Sequence, residues 1–165
     1  VCGPGTPWLP AGITRHNVVS ARQMLEAASS VWPLCDAGVF TAAVADFSPV
    51  PPADAARKFK KSDAPDGFDV HFAPNPDILK TLATSRRPDQ KVAGFAAESQ
   101  GLEDSVRGKL VSKKADLVVG NLLQDGFGTA DNTVFVADAS GREERWTRLS
   151  KTDVAWRLLS WLLSR

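Results

Sequence analysis

The sequence predicts a single α/β domain built around a mostly parallel sheet. Short apolar runs at residues 38–45, 91–97 and 116–121 alternate with segments of helical periodicity, and strands joined through helices lie parallel with right-handed crossovers. Two further runs near the C-terminus flank a short turn, as in an antiparallel hairpin. The length of 165 residues suits one hydrophobic core.

The first helix follows Ser20, which forms a capping-box pattern with Gln23. Apolar residues then recur at helical spacing up to Trp32 and are expected in the core. A buried strand over residues 38–45 comes next and ends at Asp46. An acidic side chain is therefore expected at the end of this strand.

Between residues 49 and 61 the chain is rich in proline and then in basic residues, without periodicity, which predicts a loop. Alternation over residues 68–72 predicts a strand. A second helix is expected to begin with Asn75 as its N-cap and Pro76 in its first position, and to end at Arg86.

The second half of the chain continues this alternation. Its predicted elements are a strand at 91–97, a helix at 102–114, a strand at 116–121, hairpin strands at 133–136 and 145–148 joined around Ser140 and Gly141, and a last helix capped by Ser150 and Asp153. The order places helices on the sheet and the hairpin at its edge.

Composition and charge exclude several classes of function. The chain carries 20 Lys and Arg against 19 Asp and Glu, so its net charge of +1 gives no general attraction for nucleic acid. No apolar run reaches the ~18 residues of a membrane-spanning helix, so no membrane partner is expected. Cys2 and Cys35 are too few for a disulfide framework, which predicts a cytoplasmic protein. His16 and His71 lack partners at zinc-ligand spacing.

Polar residues follow three of the predicted parallel strands, namely Asp46, Glu98 and Asn121. Ligands of open α/β sheets bind beyond the carboxyl ends of the strands, so these residues are expected to outline the rim of a cleft. The alternative is that each is only the solvated beginning of a loop.

Positive charge is concentrated in two places. Residues 57–61 carry a net charge of +4, and Lys109 and Lys113 lie four residues apart on one helical face. Like charges at this spacing destabilise a helix by roughly 0.2–0.5 kcal/mol, a cost that a bound polyphosphate would remove. The alternatives are a solvated turn for the first group and two ordinary exposed lysines for the second.

The helix expected at Asn75 would add unpaired N–H groups that suit a phosphate or a ribose hydroxyl, although plain capping is the alternative. Neither G-x-x-x-x-G-K-[ST] nor G-x-G-x-x-G occurs. A nucleotide would therefore have to be held by lysines and helix ends.

Five ordered blocks of sequence resemble a known family. The blocks are residues 42–47, 58–61, 75–79, 94–98 and 109–121. Their order and spacing are similar to those of phosphopantothenoylcysteine synthetase, the C-terminal half of the bacterial bifunctional coenzyme A biosynthesis flavoprotein, over nearly the whole chain. The resemblance implies a Rossmann-like three-layer fold, usually in a homodimer, that uses CTP and Mg²⁺ to join 4′-phosphopantothenate to cysteine.

The resemblance also implies roles for individual residues. Lys58 would come from a flap that closes over the reacting groups, as a catalytic residue, and Asp46 and Asp77 would be candidate Mg²⁺ ligands. The residues implied to bind CTP are Phe40, Thr41, Ala42, Asp46, Lys58, Pro76, Asp77, Ile78, Leu79, Phe95, Lys109 and Lys113.

The chain departs from the family pattern in two ways. The family ordinarily has a strand, a glycine-containing loop and a helix before the position of Val1, so residues 1–165 are expected to form a synthetase domain without them. Leu122 and Leu123 stand where the family commonly has Asp-Val. A decarboxylase flavoprotein half, fused or separate, is an expected companion, and no FMN is expected in this chain. A non-catalytic CTP-binding or dimerisation fragment is the alternative function.

Overall fold

A five-stranded sheet organises the fold. The computed structural model describes residues 1–5, 10–51, 57–123 and 131–164. The helices are α1 (Ala21–Val31), α2 (Ile78–Thr84), α3 (Leu102–Lys113) and α4 (Lys151–Leu163), and the strands are β1 (Ala37–Phe40), β2 (Phe47–Pro49), β3 (Phe72–Pro74), β4 (Lys91–Glu98), β5 (Leu117–Leu122), β6 (Asp131–Asp138) and β7 (Glu143–Ser150). The main sheet has the order β1-β4-β5-β6-β7, and β2 pairs with β3 in a separate ribbon.

The main sheet is mostly parallel, as the sequence predicts. β1 pairs with β4 and β4 with β5 in parallel register, whereas β6 and β7 form an antiparallel hairpin at the edge. Because β7 reverses the direction of β6, four of the five strands run the same way. The predicted hairpin is therefore confirmed.

Side chains that alternate along the strands fill one core on each face of the sheet. On one face, Val92 and Val118 pack with residues of α2 and α3 such as Val106, and α1 packs at the margin of this core. On the other face, Leu117 packs with Leu158 of α4. Helices thus cover both faces, which confirms the three-layer architecture.

Helix starts follow the capping chemistry that the sequence shows. Ser20 Oγ accepts a hydrogen bond from Gln23 N (3.2 Å), and the Gln23 side chain accepts one from Ser20 N (3.2 Å), which completes the predicted capping box. Ser150 Oγ likewise accepts a hydrogen bond from Asp153 N (3.0 Å) at the start of α4. In the described parts of the chain, every helix falls short of the length and apolar character needed to cross a bilayer.

The strand predicted at residues 38–45 is shorter in the structure. It ends at Phe40, which pairs with Gly94 of β4. The chain then leaves the sheet in a tight turn, where Val44 N donates to Ala42 O (3.0 Å). Residues 41–43 and 45 are exposed and only Val44 is half-buried, so the small apolar side chains here mark neither a core nor a paired strand, and the predicted second half of the strand is wrong.

The β2–β3 ribbon is a second difference from the prediction. The strand expected at residues 68–72 begins only at Phe72, and its partner β2 was not predicted. Each strand of a two-stranded ribbon has a free edge, so the prolines that argue against a central strand are tolerated there. Residues 52–56 of the predicted loop lie outside the described residues.

Candidate active site

A cleft of about 450 Å³ opens where β1 ends, between that strand end and helices α2 and α3. Every residue that the family resemblance selects for CTP lines this cleft, except Lys58. The lining residues among them are Phe40, Thr41, Ala42, Asp46, Pro76, Asp77, Ile78, Leu79, Phe95, Lys109 and Lys113. Their convergence identifies the cleft as the candidate site, while their contact with CTP stays a prediction.

The start of α2 forms one wall of the cleft. Asp77, rather than Asn75, is the N-cap, because Asp77 Oδ1 accepts a hydrogen bond from Lys80 N (3.0 Å). Asp77 Oδ2 accepts another from Lys113 Nζ (2.5 Å), which joins α2 to α3. Burial alone would raise the pKa of Asp77, but these hydrogen bonds outweigh it and hold the pKa below its ordinary value. Both carboxylate oxygens of Asp77 are therefore engaged.

Asn75 ties the loop after β1 to the start of α2. Its Nδ2 donates to Ala45 O (2.9 Å), its Oδ1 accepts from Ser48 Oγ (2.9 Å), and its backbone N donates to Asp46 O (2.8 Å). Because these contacts engage the side-chain amide, the capping role passes to Asp77. Sequence reasoning missed this role of Asn75, since an asparagine before a proline looks like a helix cap from local pattern alone.

Lys109 and Lys113 both line the cleft from α3, as their spacing predicts. Each has its own carboxylate partner, because Lys109 Nζ donates to Glu98 Oε1 (2.8 Å) and Lys113 Nζ donates to Asp77. The expected repulsion between the two lysines is thus offset within the protein, and no anion is needed to remove it. Hydrogen bonds from Lys109 and then Ser105 hold the pKa of Glu98 below its ordinary value.

The three polar residues that were expected to follow strands have different surroundings. Asp46 lines the cleft and is exposed, and no described side chain pairs with its carboxylate. Glu98 and Asn121 are half-buried and are not among the residues that line the cleft. The Asn121 amide donates to Leu122 O (3.0 Å). The predicted rim therefore holds for Asp46 and is wrong for the other two.

Lys58 lies outside the cleft in this arrangement of the chain. It is exposed, and the contacts of its neighbours are local. Arg57 forms an ion pair with Asp63 (2.6 Å), and the rings of Phe59 and Phe68 have centroids 5.1 Å apart. A catalytic role for Lys58 therefore requires this segment to move.

The donor set in the cleft is sparse for a metal held by protein alone. Within the described ranges, no three His, Cys, Asp or Glu side chains come together as a metal site. Asp46 is available, whereas Asp77 is engaged by Lys113 and Lys80. Mg²⁺ usually takes one or two carboxylates, several waters and substrate phosphates, so this cleft fits an ion shared with a phosphate-bearing ligand.

Aromatic and cationic side chains also line the cleft, among aliphatic ones. Phe40 and Phe95 line the cleft together with Lys109 and Lys113. Ammonium groups stabilise phosphate oxygens, and apolar rings suit the flat face of a base. The cleft thus combines aromatic rings, ammonium groups and the carboxylates of Asp46 and Asp77 in one lining.

The family model of the DNA/pantothenate metabolism flavoprotein C-terminal domain matches residues 1–165. The chain belongs to this family. It is 36% identical over 163 residues to the coenzyme A biosynthesis bifunctional protein CoaBC of Bacillus subtilis, and 37% identical over 139 residues to that of Vibrio parahaemolyticus. These alignments cover 96% and 81% of this chain but 39% and 34% of the relatives, so the chain spans less than two fifths of their length.

A solved structure shares the fold. The C-terminal domain of coenzyme A biosynthesis bifunctional protein CoaBC superposes with a TM-score of 0.75 at 30% identity, covering 96% of this chain and 69% of that one. The predicted α/β fold and the family resemblance carried by the five sequence blocks are both confirmed.

Proposed function

We propose that this chain is the CTP-binding part of a ligase that joins 4′-phosphopantothenate to cysteine in coenzyme A biosynthesis. Membership of the family and the CoaBC relatives support the pathway. The observation that carries the proposal is the convergence in one cleft of residues from separate blocks of sequence, from Phe40 to Lys113. CTP, cysteine and 4′-phosphopantothenate are the proposed substrates.

The proposed reaction has two steps. The carboxylate of 4′-phosphopantothenate attacks the α-phosphate of CTP, which releases pyrophosphate and forms an acyl-cytidylate. The cysteine amine then displaces CMP. Both steps develop negative charge on phosphate oxygens, and fixed ammonium groups stabilise such charge best where water is excluded.

The residues of this chain divide the work between binding and reaction. Lys109 and Lys113 hold the polyphosphate, and the Phe95 ring packs at the nucleotide from the cleft wall. Lys58 comes over the reacting groups when its segment closes and stabilises the transition state. Asp46 would hold a Mg²⁺ ion shared with the phosphates, and that ion would neutralise charge on the phosphate oxygens.

A second copy of the chain is the proposed partner at the β2–β3 ribbon. The register places Phe47 opposite Pro74 and Pro49 opposite Phe72, so these four residues share one apolar face. Phe47 and Phe72 are 58% and 55% exposed. A two-stranded ribbon is marginally stable alone in water, and pairing with a second ribbon would cover this face. Sedimentation of Phe72→Ser beside the parent chain tests this homodimer.

The exposed position of Lys58 favours one alternative, a CTP-binding or dimerisation fragment without turnover. Such a fragment would act with a further synthetase segment or with a companion decarboxylase flavoprotein half. Calorimetric titration with CTP, followed by an assay for phosphopantothenoylcysteine, separates these functions. Binding with turnover supports the ligase, and binding without turnover supports the fragment.

The control for the titration is Lys151→Ala, on α4 across the sheet from the cleft. We expect this variant to bind CTP like the parent chain, whereas Lys109→Ala binds it less tightly. Absence of CTP binding by the parent chain would contradict both the ligase and the fragment.

A further inference from the structure

Glu98 makes two hydrogen bonds at the end of β4 that the proposed chemistry does not use. Its Oε1 accepts one from Ser105 Oγ (2.6 Å) and one from Lys109 Nζ (2.8 Å). Both donors lie on α3, one helical turn apart. The Glu98 side chain is 26% exposed and does not line the cleft, whereas Lys109 does.

We propose that Glu98 is a positioning residue for the polyphosphate, which acts by fixing the Lys109 ammonium group at the cleft wall. Ser105 fixes the carboxylate in turn. This inference rests on the proposed function, because it assigns Lys109 to the phosphates of CTP.

The geometry favours positioning over simple charge compensation. A lysine ammonium has three N–H donors, so the bond to Glu98 leaves two for a ligand. A lysine on its flexible four-carbon stem otherwise loses rotamer freedom when the ligand binds, and a lysine already ordered by Glu98 loses less. Asp77 differs, since it lines the cleft itself and also caps α2.

Substitution of Glu98 separates the two effects. If Glu98 positions Lys109, Glu98→Ala weakens binding roughly 3- to 10-fold, the range for ordering one flexible side chain. Glu98→Gln, which keeps an oxygen acceptor, restores most of the affinity. If Glu98 only repels the anion, both variants bind more tightly than the parent chain, which would overturn the inference.

A double-mutant cycle with Lys109→Ala is the decisive experiment. The dissociation constants of CTP and of inorganic tripolyphosphate are measured by calorimetry at constant salt, with thermal unfolding of each unliganded variant. We expect Glu98→Ala to cost nothing further in the Lys109→Ala background. Additive losses would show that Glu98 acts independently of Lys109 and would overturn the inference.

The matched control is Glu143→Ala, which breaks the bidentate pair with Arg107 on the same helix (2.7 Å and 2.9 Å). Glu143 and Arg107 do not line the cleft, so CTP affinity is expected to be unchanged. An equal loss in this control would mean that Glu98 only docks the helix, against the inference. If the parent chain binds tripolyphosphate but not CTP, the proposed nucleotide is refuted, and the role of Glu98 is decided by the tripolyphosphate measurements. If the parent chain binds neither ligand, the proposed function and the role of Glu98 are both refuted.

Discussion

Helix α3 and the basic segment, residues 57–63, both carry lysines of the proposed site, but the fold fixes only those of α3. Glu98 and Asp77 hold the cleft side of α3 through its two lysines. The pair between Arg107 and Glu143 holds its outer side to β7. The lysines of α3 are therefore in place before any ligand arrives.

The basic segment is held mainly by its own contacts. Arg57 pairs with Asp63 inside the segment, and Lys58 is exposed. A lysine on a segment that must close contributes mainly to the transition state, whereas a lysine on a preformed wall also stabilises the bound ground state. Under the proposed function, affinity for CTP would depend on α3 and turnover on the basic segment.

The largest effect is expected at Lys58. In the complete enzyme, Lys58→Gln should lower turnover about 10²- to 10³-fold, or about 2.7–4 kcal/mol, because a charged donor is lost from the closed site. Its affinity for CTP should change little, since Lys58 does not line the cleft. Rates of acyl-cytidylate formation and of CTP dissociation measure the two effects separately.

Lys60→Gln and Lys61→Gln are the matched controls, on neighbouring exposed lysines of the same segment. We expect both to keep nearly full turnover. If Lys58→Gln is as active as these controls, the segment is only a solvated turn. The proposed difference in role between this segment and α3 is then wrong.

The next largest effect is expected for Lys109→Ala combined with Lys113→Ala. Loss of two charged donors should weaken CTP binding roughly 10- to 100-fold and flatten its salt dependence. The unliganded protein should also lose about 0.2–1 kcal/mol per ion pair, because both lysines have carboxylate partners. Calorimetry across salt concentrations and thermal unfolding check these outcomes. A rise in stability would show that repulsion between the lysines outweighs their pairing.

Helix α3 and strand β5 are in close contact at Gly120, so a substitution there tests how firmly the fold holds α3. A Cβ at this position would overlap Val106 and lie 2.7 Å from Leu102 Cδ1, so Gly120→Ala should cost about 1–3 kcal/mol. CTP affinity should fall with it, because the helix that carries the lysines must shift. Chemical denaturation and calorimetry measure both quantities.

Gly108→Ala on the same helix is the control for Gly120→Ala. The added Cβ would point into open space beyond its own helix, so alanine should stabilise α3 by about 0.5–1 kcal/mol through its helix propensity. Destabilisation by Gly108→Ala would mean that α3 packs differently from the structure described.

Local sequence patterns and the ordered blocks predicted the fold class, most helices and strands, and the residues that line the cleft. Most features that were not predicted depend on contacts between residues far apart in the sequence. Ser20 and Gln23 are three residues apart, so their capping box is legible in the sequence. The bond between Asp77 and Lys113 spans 36 residues, and only the folded chain shows that the two charges meet. The N-cap at Asn75 was predicted wrongly for the same reason, because its side chain binds a loop about 30 residues earlier.

The smallest effect is expected from pH, and it concerns the ion pairs of α3 alone. The pKa values of Asp77 and Glu98 are lowered in the folded state from ordinary values of 3.8 and 4.5. A carboxylate whose pKa is lowered in the folded state stabilises the fold at pH values above its unfolded pKa, and this contribution is lost as pH falls through the folded pKa.

The stability gap between the parent chain and the Lys109→Ala, Lys113→Ala variant should therefore be present at pH 7 and shrink below about pH 4. Thermal unfolding from pH 7 to pH 3 measures this difference in stability. Lys151→Ala is the control, because its difference in stability from the parent chain should not change as Asp77 and Glu98 become protonated. If the gap of the double variant is unchanged at pH 3, Asp77 and Glu98 do not hold α3, and the difference between α3 and the basic segment must arise from the other contacts of α3, namely the pair between Arg107 and Glu143 and its apolar packing.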